Sequence, residues 1–193
     1  MDKKITTTQI VGTGLLLALE IIFQIVGNYL QFGPVNINLS LITIVLAAVL
    51  YGPLSGAIVG FFNGLMALLS PSTLAIFMPI SPIGTVLACL LKTTLAGLVA
   101  GFIYKFLKNI NQIAGLVLAA FLVPIINTGI FVVFSLIFFR PFLESGVSSG
   151  SFPNIGAFLI FGVIGWNFIF EIVTTVVLST VVGILLLRRK KEA

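Results

Sequence analysis

Histidine is absent from this 193-residue sequence, cysteine occurs once, at Cys89, and aspartate once, at Asp2. Without these residues no His/Cys metal cluster, Cys/His nucleophile pair or disulfide framework can be built. Charge is equally scarce: ten Lys and Arg with five Asp and Glu make 8% of the chain, against 59% apolar residues. That balance lies outside the soluble globular range and indicates an integral membrane protein. The net charge of +5 does not indicate nucleic acid, because the basic residues sit at segment ends instead of along a patch interleaved with aromatics. "GTG" at 12–14 lacks the strand, helix and trailing acidic residue of a dinucleotide site. No nucleophile–base pair stands out, so the chain is expected to be non-enzymatic, with no cofactor, no metal and an external energy source.

Pro, Gly and polar clusters divide what remains into six apolar segments, approximately 8–30, 39–51, 53–69, 82–104, 111–139 and 157–187. A helix needs about 20 apolar residues to cross a bilayer. The second and third segments are short and meet at Tyr51, Gly52 and Pro53, where a single bent or re-entrant element competes with two separate spans. The apolar stretch that follows Lys3 and Lys4 is too long for a signal core and is read as the first span, retained in the mature chain. Six spans place Lys3, Lys4, Lys105, Lys108, Arg188, Arg189, Lys190 and Lys191 on one side and Arg140 on the other. By the positive-inside rule both termini are cytoplasmic. The expected fold is therefore an all-α integral membrane protein: one domain over 1–193, six transmembrane helices, and external loops at 31–38, 70–82 and 140–156.

Within these spans, polar residues recur at helical spacing. In the fourth, Gly84, Ala88, Lys92, Ala96, Ala100 and Tyr104 share a face of mostly small residues; in the sixth, Asn167, Glu171, Thr175, Ser179 and Gly183; in the first, Glu20, Gln24 and Asn28. The fifth span adds Asn127 and Thr128, and the third adds Asn63. Polar atoms facing lipid cost several kcal/mol, about enough to require that these stripes face one another or water. Counted from the external ends at about 1.5 Å per residue, Glu20 and Lys92 lie roughly 15 Å deep, Asn127 about 18 Å, Glu171 about 21 Å and Asn63 about 10 Å, with Trp166 somewhat higher than Lys92. One polar layer in the outer half, opening outward as a ligand cavity, is the economical expectation. The competing readings are structural: Lys92 paired with Glu171 or Glu20, the asparagines as interhelical hydrogen-bonding groups, and Trp166 as an interfacial anchor.

Taken together, the length, six spans, internal termini, lidding first external loop and "GLLLA" at Gly14–Ala18 resemble a substrate-binding S component of the prokaryotic energy-coupling factor (ECF) vitamin transporters. "NGLMALLSPST…ISPIGTVLACLLKTTLAGLVAGFIYK", from Asn63 to Lys105, and "PIINTGIFVVFSLIFF", from Pro124 to Phe139, are similar to the pantothenate-type branch. The resemblance implies that Asn63, Lys92 and Asn127 contribute to a vitamin pocket covered by the loops carrying Asn38 and Ser72, with Trp166 and Asn167 on its wall. It implies that Gly14 and Ala18 pack against a shared transmembrane coupling subunit, a glycine standing where that motif usually has alanine. Two cytoplasmic ATPases, a prokaryotic cell-membrane location and reorientation of the chain in the bilayer to release cargo inward complete the implied picture. Lys92 would meet a vitamin carboxylate, Asn63 and Asn127 its amide and hydroxyls, and Trp166 with neighbouring Phe residues its methyl groups. Ionised Glu20, Glu171 and Lys92 in one cavity would carry a net charge of −1, which disfavours an anion; either Glu171 lies below the pocket on a helix contact, the favoured expectation, or one glutamate is protonated by burial, or the cargo is not anionic.

Riboflavin, folate, cobalamin, pyridoxine or a thiamine precursor are alternative cargoes. A stand-alone proton-coupled transporter built on Glu20, Lys92 and Glu171 is the rival class.

Overall fold

A computed structural model describes residues 6–29, 31–32, 35–36 and 39–192, with side chains placed except at 28–38, 166 and 190–192. Asn28, the loop at 31–38 with Asn38, the Trp166 side chain, Lys3, Lys4, Lys190 and Lys191 thus lie outside what can be described in full. The chain order is α1 (Thr7–Tyr29), a short antiparallel pairing of β1 (Gln31–Phe32) with β2 (Val35–Asn36), α2 (Leu41–Tyr51), α3 (Pro53–Leu68), a π-helical turn Thr73–Phe77, α4 (Pro82–Leu107), α5 (Gln112–Phe138), α6 (Arg140–Ser148), α7 (Ile155–Ala157) continuing as π-helix over Phe158–Ile164, and α8 (Gly165–Glu192).

Among the described residues four helices are long and apolar enough to cross a membrane: Thr7–Gly27, Pro82–Leu107, Gln112–Phe138 and Asn167–Arg189. With 11 and 16 residues, α2 and α3 rise only about 16 Å and 24 Å. Every residue from Leu41 to Val49 of α2 is buried, so this short helix is wrapped by its neighbours; a helix apolar all round is a core element. Gly52, with φ 102°, makes the break between α2 and α3, and Pro53 opens α3 at a position where its missing N–H costs nothing. Ser81 caps α4 by accepting from the Gly84 amide at 3.2 Å, and Asn111 caps α5 by accepting from Ile113 and Ala114 at 3.0 Å each.

Small residues set the tightest seam. Gly56, Gly60 and Gly64 of α3 lie against Gly97, Thr93 and Cys89 of α4, and Gly101 lies against Pro53. Backbone meets backbone there: a Cβ built on Gly60 would sit 2.1 Å from the Thr93 carbonyl oxygen.

α1 joins this core through polar rungs. Gln9 donates to the Tyr51 carbonyl at 3.1 Å, Thr13 to Ser55 at 3.0 Å, and Glu20 accepts from Thr43 and Asn63. Its opposite face, with Val11, Gly14, Leu15, Ala18 and Ile22, is exposed. Lys105 in the last turn of α4, Lys108 at its C-cap and Arg188 beside Gln112 and Leu187 gather at one end. Arg140 stands at the other end, with the loops.

Three sequence expectations are corrected. The segment 140–156 is helical over α6, where Pro141 fits the first turn and Arg140 pairs with Glu144 at 3.9 Å. The sixth span does not run unbroken from 157: Gly165, with φ 47° and ψ −157°, separates the π-helical stretch from α8. That conformation is open to glycine and strained for other residues. α4 also continues past 104 to Leu107.

Candidate functional site

The polar residues expected in one layer fall into two separate groups. In the first, at the meeting of α1, α2 and α3, Glu20 is fully buried. Thr43 donates its hydroxyl to the carboxylate, and Asn63 Nδ2 donates to Glu20 Oε1 and contacts Ser40 Oγ, both at 2.6 Å. Thr43 Oγ1 also lies 2.6 Å from the Ser40 carbonyl. A buried carboxylate is tolerated only with such partners. Asn63, at 2% exposure, is occupied by this cluster and does not share the wall that holds Lys92. Serving Glu20 is the physical reason it departs from the expected layer.

The second group surrounds a cavity of about 140 Å³ lined by Lys92 of α4, Asn127, Thr128 and Phe131 of α5, Val163 and Ile164 of the π-helical stretch, and Asn167, Phe168 and Glu171 of α8. Lys92 is half-buried and its Nζ lies 5.4 Å from the centroid of the Phe131 ring, a cation–π distance. Among the described residues the one ion pair is the exposed Arg140–Glu144 contact, so no carboxylate neutralises Lys92 directly. Glu171 receives the Thr128 hydroxyl at 3.5 Å, a long contact for a hydroxyl donor. Asn127 is 7% exposed, and its Oδ1 is buried without a hydrogen-bond partner among the described residues.

Glu171 is therefore on the cavity wall and not below it, which corrects the sequence expectation. Glu20 is the carboxylate that lies elsewhere. The formal charge around the cavity, Lys92 against Glu171, is zero, and the excess negative charge foreseen from the sequence is gone.

Lys92, Asn127 and Asn167 are thus brought together. Ser72 is exposed, 3.5 Å from Ser70 in the loop before α4, and does not line the cavity. Sequence reasoning expected phenylalanines on the wall without identifying which. Phe131 contacts Phe77 at 5.6 Å, and Phe77 packs on Phe139 and Phe142 at 4.9 and 5.1 Å. Phe142 meets Phe158 at 5.5 Å. This chain of rings ties the turn at 73–77, α5, α6 and the π-helical stretch together at the loop end. Phe131 belongs both to it and to the cavity. Lys92 and Phe131 come from different helices, and spacing along one helix cannot reveal such a pair.

Among the described residues no three His, Cys, Asp or Glu side chains group as metal ligands. What the cavity offers is ammonium donors, amide and carboxylate acceptors and apolar walls, the composition of a small-molecule site without a nucleophile.

A family model described as "ECF transporter, substrate-specific component" matches residues 8–185. No curated protein and no solved structure matches the chain.

Proposed function

Because the chain belongs to the family of substrate-specific components of ECF transporters, and is thus a multi-pass membrane subunit that binds a small molecule, we propose that its cargo is a vitamin carboxylate, with pantothenate the best candidate. The observation that carries this reading is the half-buried ammonium of Lys92 on the wall of a cavity with no ion-pair partner among the described residues. Intramembrane charge is costly and marks transport sites. Lys92 meets the carboxylate in a charge-assisted contact, Asn127 and Asn167 meet amide and hydroxyl groups, and Phe131, Phe168, Val163 and Ile164 cover the methyl groups.

The cavity holds roughly five waters at about 30 Å³ each and lies below the about 300 Å³ usual for ligand pockets. Loading must therefore widen it. Its one wall that is not regular α-helix is the π-helical stretch 158–164, hinged at Gly165. Six spans, with the short α2 enclosed by the other helices, α3 turning Leu54, Ile58, Phe61 and Phe62 outward and the basic end cytoplasmic, complete the proposed topology in a prokaryotic cell membrane.

Partner coupling belongs to α1. Nothing lies within 4 Å of a Cβ built on Gly14. With Gln9, Ile10, Thr13, Leu17, Tyr51, Leu54, Ser55 and Ile58 it lines a largely apolar groove of about 360 Å³ between α1 and α3. A helix of the transmembrane coupling subunit fits such a groove closely over glycine, and two ATPases supply the energy.

Native mass spectrometry of the purified chain tests the cargo. A retained mass equal to pantothenate supports the reading; a retained neutral vitamin refutes it.

A further inference from the structure

Away from the cargo cavity, a groove of about 580 Å³ follows the outward side of the seam between α5 and α8, walled by Ile113, Ala114, Val117, Leu118 and Phe121 of α5 and Val176 of α8. The α5 residues of this wall are exposed, and Ala114 supplies the least bulk among them. Asn111 lines the basic end of the groove, and Ile113 joins it to a second hollow of about 170 Å³ that holds Gln112, Leu187 and Arg188. The two form one continuous surface, apolar along its length and cationic at one end. Lys105, Lys108 and Arg189 stand at that same end. Among the described residues no acidic side chain does, since Glu20 lies with Asn63, Glu144 with Arg140 and Glu171 at the cargo cavity.

From Asn111 to Phe121 the groove rises about 15 Å, and a whole helix over that length occupies about 1,200 Å³, twice the groove. A hydrocarbon chain lies within it where a helix would stand proud. In a bilayer such a chain carries its headgroup at the level of Asn111, Gln112 and Arg188. A guanidinium grips phosphate oxygens in pairs, and basic pockets between membrane helices take anionic headgroups. Asn111 Oδ1 is occupied by the Ile113 and Ala114 amides, so its Nδ2 is the end that offers a donor. A choline headgroup would instead bring one more cation against Lys108 and Arg189. We propose that the α5–α8 groove is a site for one phospholipid with a net-negative headgroup, an acyl chain along Ala114, Val117 and Phe121 and the phosphate on Arg188. The lipid bridges the two helices that carry Asn127 and Asn167 to the cargo cavity, and the assignment does not depend on which cargo that cavity takes.

The test uses the full chain, purified in detergent and freed of lipid, with three probes: dioleoyl phosphatidylglycerol, dioleoyl phosphatidylcholine, and glycerol phosphate, which has the anionic head without the chains. Native mass spectrometry counts bound molecules across a titration. The first phosphatidylglycerol is expected to bind about 10-fold tighter than the first phosphatidylcholine, the size of a few charge contacts at a membrane surface. Glycerol phosphate should not bind at the same concentrations. Arg188→Gln should bring phosphatidylglycerol down to the phosphatidylcholine level, whereas Arg188→Lys, which keeps the charge, should retain most of the preference. Ala114→Phe fills the groove and leaves every cation in place, so it should weaken the first phosphatidylglycerol about 10-fold, the size of a few methylenes returned to solvent. Melting temperature without lipid checks folding, and Ala114→Leu replaces Ala114→Phe if the larger side chain lowers it. Equal binding of the two lipids, a preference that survives Arg188→Gln, or undiminished binding to the filled groove would overturn the proposal. Glycerol phosphate binding as tightly as phosphatidylglycerol would overturn it in favour of a free phosphate. A dimer, or a co-purifying coupling subunit, that is lost in Ala114→Phe while lipid binding stays unchanged would overturn it in favour of a protein partner.

Discussion

Replacing Gly60 with alanine would set a methyl carbon 2.1 Å from the Thr93 carbonyl oxygen, where real Cβ contacts essentially never fall under 3.0 Å. Helices α3 and α4 would have to separate by about 1 Å along the seam that Gly56, Gly60, Gly64, Gly97 and Gly101 create. A gap of that size forfeits about a quarter to a half of the dispersion energy of each contact it opens, and overpacking of this kind costs about 1–3 kcal/mol. Opposing it, alanine is favoured over glycine in a helix by about 0.5–1 kcal/mol. The net expectation is a loss of about 1–2 kcal/mol. At about 2–4 °C per kcal/mol for a chain of this size, that is a melting temperature lower by about 2–8 °C. The control is Gly14→Ala on the open face of α1, where nothing lies within 4 Å; there only the propensity gain remains, and the melting point should hold or rise. Thermal unfolding of both variants in the same detergent decides between packing and propensity. If Gly60→Ala melts as high as Gly14→Ala, the close seam is not what holds α3 to α4.

Three other perturbations follow from the same geometry. Asn63→Leu removes the donor to Glu20 Oε1 and should destabilise by about 1–3 kcal/mol, read as a lowered denaturation midpoint, with cargo affinity in the folded fraction changed little; a large affinity loss at unchanged stability would return Asn63 to the cargo site. Gly165→Ala forces a side chain into a conformation that costs about 1–3 kcal/mol, so amides of 158–164 should exchange faster with deuterium, and unchanged exchange would remove Gly165 as the hinge. Gly14→Leu, or Ala18→Leu, should leave melting and cargo binding intact while preventing co-purification with the coupling subunit and ATPases; normal assembly of both variants would exclude this face of α1.

The helices were legible because lipid imposes a simple rule on backbone and side chains. Six apolar segments appear within a few residues of where helices form, and the Gly/Pro pair at 52–53 marks its break correctly. The break at Gly165 was not legible, since a positive φ at one glycine among 19 leaves no mark in an otherwise apolar run. Depth along a helix also places residues on one layer without telling which neighbours they face. Depth alone groups Asn63 and Glu20 with Lys92, yet their helices turn them toward Ser40 and Thr43. Glu171, read as too deep, reaches the cavity because α8 starts after a break and not as a continuous helix from 157. Phe131 was hidden among 18 phenylalanines; only the approach of α4 to α5 singles it out.

Pantothenate binding to purified wild-type protein and to Lys92→Ala, measured at equilibrium with melting temperature as the control for folding, tests the central claim most directly. The account predicts saturable binding to the wild type and a loss of about 10–100-fold or more in the variant at unchanged melting. Equal affinity in the two proteins would contradict it.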